Sequence, residues 1–99
     1  MFARVSRYSG STEGLRAGFE AVTPELEQED GFVQAFFLVD DQHSRALSIT
    51  LWDSRETLDG SAERAHGMRT RATEPSSSTI DAVESYEVAL TATRPARAG

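Results

Sequence analysis

The sequence contains no cysteine and no lysine, and each absence excludes a kind of chemistry. Without thiols the chain forms no disulfide and offers no thiolate nucleophile or metal ligand. All ten basic residues are arginines, so Schiff-base catalysis through a lysine amine is excluded as well. The sequence also lacks an apolar run long enough to span a bilayer, and its first residues lack the apolar core of a signal peptide. These absences predict a cytoplasmic protein that does not bind membranes.

The charge balance limits the classes of partner that the protein can bind. Sixteen acidic residues against ten arginines give a net charge of -6, which disfavours nucleic acids and anionic lipids as partners. The 99 residues are enough for one domain. We assign residues 1–92 to this domain and residues 93–99 to a polar C-terminal tail.

The segment Ser44–Leu58 organises the predicted fold, because it contains a strand, the end of that strand and the start of a helix. Its apolar residues Leu47, Ile49 and Leu51 alternate with Ala46, Ser48, Thr50 and Trp52, which is the period of a strand. Asp53 and Ser54 then supply oxygens that can cap a helix, and Glu56 has the spacing of a capping box. We predict a strand over 44–53 and a helix over 54–72.

An earlier apolar stripe predicts a first helix that begins at Ser11 or Thr12. Its apolar positions recur at spacings of three and four residues, at Leu15, Phe19, Val22 and Leu26. Pro24 lies inside this stripe and should kink or interrupt the helix, which Gly31 ends.

The strand predicted over 32–39 is apolar on both faces. Alternation places Phe32, Phe36 and Leu38 on one face and Val33, Ala35, Phe37 and Val39 on the other. With strands over 2–9 and 80–90, the order is β-α-β-β-α-β, an α+β, ferredoxin-like fold in which two helices cover one face of a four-stranded antiparallel sheet. The other face would expose large apolar side chains, which favours a homodimer paired sheet to sheet.

The order of elements, the pair Gly31-Phe32 and the strand-to-helix join Ile49–Ser54 (ITLWDS) resemble the antibiotic-biosynthesis-monooxygenase-like proteins of dimeric α/β-barrel type. The resemblance covers about residues 2–90. It implies homodimers with a pocket between helices and sheet. The family includes cofactor-free monooxygenases of aromatic polyketides, heme-degrading monooxygenases and small proteins of unknown role, so the resemblance does not choose a substrate.

Arg69 is the first candidate for a role in that pocket. On a regular helix, Leu58, Ala62, Ala65, Arg69 and Ala72 fall on one side, provided that the helix is continuous across Gly60 and Gly67. Arg69 then points into an apolar stripe, where its charge requires a partner. A carboxylate such as Glu20 or Glu84 would make Arg69 structural, whereas a ligand anion would make it functional.

His66, Trp52 and Ser6 complete the candidates. Heme-degrading members ligate iron through a histidine on this helix, with an asparagine on the first strand and a tryptophan early in the helix. His66 could align with that histidine, but Ser6 occupies the asparagine position and the helix contains no tryptophan, which disfavours heme degradation. Trp52 could pack in the core or contact an aromatic ligand.

These candidates lead to one preferred function and several alternatives. The resemblance implies a cofactor-independent monooxygenase acting on a phenolic molecule, with Arg69 holding the oxyanion and His66 accepting the proton. No cofactor and no metal site are expected. The alternatives are a non-catalytic binding or accessory dimer, a heme-degrading enzyme, and an isomerase or cyclase.

Overall fold

Strands and helices follow each other in the order predicted from the sequence, and the computed structural model describes residues 1–96. The strands are β1 (Phe2–Ser9), β2 (Phe32–Asp40), β3 (Arg45–Trp52) and β4 (Thr79–Glu87), and the helices are α1 (Thr12–Leu26), α2 (Arg55–Gly60) and α3 (Ala62–Thr73). Two short 3₁₀ turns lie at Asp41–His43 and Glu74–Ser76. Residues 88–96 form neither helix nor strand, and the last three residues of the predicted tail lie outside the described residues.

The four strands form one antiparallel sheet in the order β2-β3-β1-β4. The helices pack on one face, so the predicted ferredoxin-like fold is confirmed. No helix within residues 1–96 is long and apolar enough to cross a membrane. The cytoplasmic location stays a prediction.

The core lies between this helical layer and the sheet. All four apolar residues of the predicted α1 stripe are buried, and Ser11 caps the helix by accepting the Gly14 N–H. From the sheet, Phe37 stacks on Phe19 with ring centroids 4.9 Å apart, and Tyr8 meets the same ring edge-on at 5.1 Å. Aromatic contacts therefore join β1 and β2 to α1.

Pro24 does not interrupt α1, which continues to Leu26. The expected interruption at Pro24 was wrong: its missing N–H removes one backbone bond in the last turn, and the helix ends two residues later. Gly31 does not end the helix either. It has a φ of +78°, and a Cβ there would lie 2.4 Å from Thr57 Cβ, so Gly31 is needed where the chain turns into β2 close to α2.

A β-bulge changes the faces of β2 near its start. Phe32 pairs with Trp52 and Gln34 pairs with Leu51, which leaves Val33 as the extra residue. Phe32 therefore faces the helices together with Ala35, Phe37 and Val39. The prediction that Phe32 shares a face with Phe36 and Leu38 was wrong, because the bulge reverses the alternation before Gln34.

The predicted second helix is broken into α2 and α3 at Ser61. Ser61 is buried and donates its hydroxyl to the Leu58 carbonyl at 2.8 Å, a local bond that competes with regular helix geometry. Ala62 is exposed, so its predicted place in the stripe was wrong. The buried residues Ser61 and Met68 lie on the other side of the Leu58 position from Ala62, so the buried stripe is centred away from Ala62. Leu58, Ala65 and Ala72 are buried as predicted.

The sheet face opposite the helices is apolar, as the two-sided pattern of β2 predicted. Phe36 and Leu38 of β2 are 45% and 49% exposed, and Tyr86 of β4 is 50% exposed. Leu47, Ile49 and Leu51 of β3 lie in register with them and are partly exposed. We call this surface the open sheet face. Side chains of this size are usually covered in a folded protein.

Candidate functional site

A cavity of about 40 Å³ lies between the helices and the sheet. Its apolar walls come from both layers, with Val22 and Leu26 from α1, Ala65 and Met68 from α3, and Phe37 and Trp52 from the sheet. Phe37 is partly exposed, so the cavity meets solvent near β2. The volume holds only one or two water-sized groups, although the flexible Met68 side chain can change it by rotating.

The floor of the cavity is polar because β1 and β3 pair polar residues on their helix-facing sides. The register places Ser6 opposite Ser48 and Arg4 opposite Thr50, and all four line the cavity. The Tyr8 hydroxyl and the Ser48 hydroxyl lie 3.0 Å apart and share a hydrogen bond. Burial raises the pKa of the Tyr8 phenol, so Tyr8 stays neutral and presents a hydroxyl at physiological pH.

Arg4 is buried and is fixed at the break between α2 and α3. Its guanidinium donates to the Leu58 carbonyl at 2.7 Å and to the Ser61 hydroxyl at 3.1 Å. It also lies 5.6 Å from the centre of the Trp52 ring, within cation–π distance. Burial, and next the nearby charge of Arg69, lower its pKa. Among the described residues, Arg4 is thus hydrogen-bonded by carbonyl and hydroxyl oxygens and by no carboxylate, while the nearby charges of Asp59 and Glu29 oppose the lowering of its pKa.

Arg69 reaches the cavity from α3 and is half-buried. Its Nε is buried and has no hydrogen-bond partner among the described residues. Burial lowers the pKa of its guanidinium, and the nearby Tyr8 opposes this shift. Neither predicted carboxylate satisfies Arg69, because Glu84 pairs with Arg7 at 2.9 Å and Glu20 is exposed to solvent. A buried guanidinium N–H without an acceptor is costly, and a ligand oxygen would remove that cost.

The structure brings three of the four sequence candidates together. Trp52, Ser6 and Arg69 all line the cavity, and Trp52 and Ser6 are almost fully buried. His66 is exposed and lies outside the cavity lining, so its ring does not join the other three. The predicted assignment of proton transfer to His66 therefore has no support from the geometry of this site.

Arg4 is not among the site residues predicted from the sequence. A signal was present, because Arg4, Ser6 and Tyr8 alternate on one face of β1. Ala46, Ser48, Thr50 and Trp52 alternate in the same way on β3. Register could not be read from either strand alone, so the cluster of polar residues became visible only in the structure.

A wider groove of about 480 Å³ lies at the end of the sheet near Asp40, Arg45 and Arg7. Its arginines already have carboxylate partners, since Arg45 pairs with Asp40 at 2.8 Å and Arg7 pairs with Glu84 at 2.9 Å. The smaller cavity is the better candidate because, within residues 1–96, neither of its arginines forms an ion pair with a carboxylate. Within residues 1–96, no group of three or more histidine, aspartate or glutamate side chains could hold a metal ion.

Comparison with known sequences gives distant relatives. No family model matches the chain. The uncharacterized proteins MT2634 and Rv2557 of Mycobacterium tuberculosis are 29% identical to it over 93 residues, which cover 90% of this chain and 41% of theirs. The chain thus spans less than half the length of these relatives, and their names give no activity.

Comparison with solved structures identifies the fold. SnoaB, a cofactor-independent oxygenase from Streptomyces nogalater, superposes with a TM-score of 0.69 at 20% identity, covering 91% of this chain and 94% of SnoaB. MhuD, a heme-degrader from Mycobacterium tuberculosis solved with two hemes in its active site, superposes with a TM-score of 0.71 at 17% identity, covering 94% and 100%. The chain therefore has the fold of antibiotic-biosynthesis-monooxygenase-like proteins, as the sequence resemblance predicted. The two neighbours perform different chemistry, so the fold does not define a reaction.

Proposed function

We propose that the protein is a cofactor-independent monooxygenase that oxidises a small phenolic molecule at the helix–sheet cavity. The observation that carries this proposal is the pairing of an unsatisfied arginine, Arg69, with aromatic and hydroxyl side chains in one cavity. An arginine in that position favours the phenolate over the phenol, and a phenolate reacts with dioxygen more readily. The fold shared with SnoaB supports the same choice.

The proposed reaction balances without an external reductant. A phenol with a free para carbon reacts with one dioxygen to give a quinone and one water. The phenolate transfers an electron to dioxygen, and a carbon–oxygen bond then forms at the para carbon. The ring loses its para hydrogen, the oxygen–oxygen bond breaks, one oxygen stays as the new carbonyl and the other leaves as water. The phenol supplies all four electrons.

The residues of this chain act by binding and by electrostatics. Arg69 stabilises the negative oxygen, and the partly exposed Phe37 provides an aromatic contact for the ring, while the fully buried Trp52 forms part of the cavity wall. The apolar wall from α1 and α3 limits the access of water to the charged intermediates. Because the cavity is small, it encloses only the oxygen end of the phenol. The rest of the ring extends toward Phe37, which is partly exposed.

The residues do not fit heme as well as they fit a phenol. His66, the histidine that could align with an iron ligand, is exposed and outside the cavity lining. Trp52 comes from the strand β3 and not from the following helix. We therefore do not assign heme degradation to this site.

Oxygen uptake with α-naphthol tests the proposed activity. We expect the protein to consume dioxygen and to form naphthoquinone without added flavin or metal, in the presence of a chelator. With isotopically labelled dioxygen, mass spectrometry should find one labelled oxygen in the quinone. Arg69→Gln should lose most of this activity, whereas Arg71→Gln, at an exposed arginine on the same helix, should keep it. Oxygen uptake equal to that of buffer would contradict the proposal.

The second candidate function is non-catalytic binding of a small aromatic molecule. It is favoured by one observation, the lack of any carboxylate or imidazole among the cavity-lining residues within residues 1–96. A binding protein needs no such proton acceptor. Quenching of Trp52 fluorescence by α-naphthol without oxygen uptake would select this function.

We also propose that two copies of the chain pair through their open sheet faces. The support is the exposure of Phe36 and Leu38 beside the partly exposed apolar residues of β3. The Arg7–Glu84 ion pair lies toward β4 on the same face, where Glu84 also accepts the Tyr86 hydroxyl, as at the polar rim of an interface.

Neighbouring phenylalanines of β2 test the dimer. Phe37→Ala removes the stack on Phe19 and should lower the free energy of unfolding by about 3 kcal/mol. Phe36→Ala should instead weaken association, so that at the same protein concentration it has a larger monomer fraction and a lower melting temperature than the parent protein. Light scattering should give twice the 10.8 kDa chain mass for the parent protein. A monomer at micromolar concentration, with no effect of Phe36→Ala, would contradict the dimer.

A further inference from the structure

We propose that a groove between α1 and the edge strand β2 binds the part of an aromatic ligand that the cavity does not enclose, and that Phe37 determines which ligands fit. This inference rests on the proposed function for the position of the ligand, but not for the reaction. It assigns a second binding subsite, whose preferred occupant is a flat aromatic ring, and a residue that sets specificity.

The first argument is the groove itself, which has a volume of about 230 Å³. Phe19 of α1 and Phe37 and Val39 of β2 give it an apolar surface. Its remaining lining residues belong to α1 and are polar, namely Arg16, Glu20 and Thr23. Because β2 is an edge strand, no further strand within residues 1–96 covers this side of the sheet. The groove is therefore open to a ligand from solvent.

The second argument is the size of the two spaces. An apolar cavity of about 150 Å³ is known to hold benzene, whereas the helix–sheet cavity has about 40 Å³ and is too small for a ring. The groove is large enough. Phe37 lines both spaces. A ligand whose polar end lies in the cavity must therefore extend past Phe37 and into the groove.

The third argument is the contact that Phe37 makes between the two spaces. Its ring stacks on Phe19, with the centroids 4.9 Å apart and an angle of 25° between the ring planes. A flat ligand ring in the groove offers Phe19 the same contact, so it can replace the ring of Phe37. Phe37 is partly exposed, and Ala35, which precedes it on the same face of β2, is small, so the ring has space to turn aside. A saturated ring has no π face and cannot replace the stack.

Isothermal titration calorimetry with two phenols of similar length tests this inference without turnover. Under nitrogen, para-phenylphenol presents a flat second ring, whereas para-cyclohexylphenol presents a puckered and more apolar one. We expect the parent protein to bind para-phenylphenol about fivefold more tightly, because only a flat ring restores the stack on Phe19. Burial of apolar area alone favours the opposite order. Equal affinities, or tighter binding of para-cyclohexylphenol, would overturn the inference.

Variants then assign the selection to Phe37. Phe37→Leu removes the ring that the ligand displaces, so the affinity for para-phenylphenol should rise about fivefold. Phe37→Trp enlarges that ring and should lower the same affinity by a similar factor. Phe2→Leu is the matched control, because Phe2 also packs against the core from the sheet but lines neither space, and its affinity should equal that of the parent protein. Phe37 variants that bind as Phe2→Leu does would refute the role of Phe37.

The test separates the groove from the proposed reaction. The parent protein alone decides the first comparison, so a misfolded variant cannot hide a failure. Oxygenation of α-naphthol by a protein that does not prefer the flat ring would refute the groove subsite and leave the enzyme in place. Preference for the flat ring without oxygen uptake would refute only the enzyme, because a binding protein uses the same subsite.

Discussion

Gly18→Ala is expected to destabilise the protein by about 3 kcal/mol, because α1 and α3 pack with almost no space between their backbones. A Cβ at Gly18 would lie 2.1 Å from the Ala72 carbonyl oxygen and 2.8 Å from the Ala72 Cα. Backbone atoms cannot rotate away as a side chain can, so the helices must separate. The cavity lies beside this contact, so separation would also move Arg69 and Met68.

Gly67→Ala is the matched control for this substitution. Gly67 lies inside α3, and a Cβ there would meet nothing within 4 Å. Since alanine is the better helix former, this variant should gain about 0.5–1 kcal/mol. Urea unfolding at one protein concentration, followed by circular dichroism, measures both changes. Equal midpoints for Gly18→Ala and the parent protein would show that the helices are not in close contact.

Trp52→Ala is expected to lower the free energy of unfolding by about 3–5 kcal/mol. Trp52 is fully buried where β3 ends, and its ring meets Phe32 edge-on with centroids 5.8 Å apart. Its indole N–H donates to the Thr50 hydroxyl at 2.9 Å. Loss of the ring would leave a cavity against β2 and would uncover the Arg4 guanidinium.

Leu90→Ala provides the control, because Leu90 is 85% exposed and its truncation should change stability by less than about 0.5 kcal/mol. Trp52→Phe should lose less than Trp52→Ala, since it retains an aromatic ring. If Trp52→Ala unfolded at the same denaturant concentration as the parent protein but lost ligand binding, the result would show that Trp52 contributes to ligand binding and does not stabilise the core.

The fold could be predicted because the sequence patterns that specify its strands and helices are local. The alternation of β3, the α1 stripe and the cap at Ser11 each follow from a few neighbouring residues. Two deviations were missed because they depend on tertiary contacts. The bulge at Val33 shows only in the pairing with β3, and the helix break at Ser61 involves the hydroxyl that Arg4 also contacts.

The candidate site was predictable only in part. The helix period placed Arg69 on the inner side of its helix, on the condition that the helix continue across Gly60 and Gly67. The helix continues across Gly67 but ends at Gly60, and Arg69 still lines the cavity. The same period placed His66 at the edge of that side, and the structure leaves it exposed. Arg4 could not be assigned, since a charged residue on a strand gives no sign that its partners lie more than 50 residues away.

The bulge at Val33 gives β2 one position at which the length of the strand can change without exchanging its two faces. Removing Val33 would restore the regular alternation, with Phe32 still paired with Trp52 and Gln34 still paired with Leu51. Removing one residue from the regular pairing after Gln34 would instead shift the register and turn the side chains before the deletion, Phe32 among them, to the other face. We therefore expect a deletion at Val33 to be tolerated better than a deletion later in the strand.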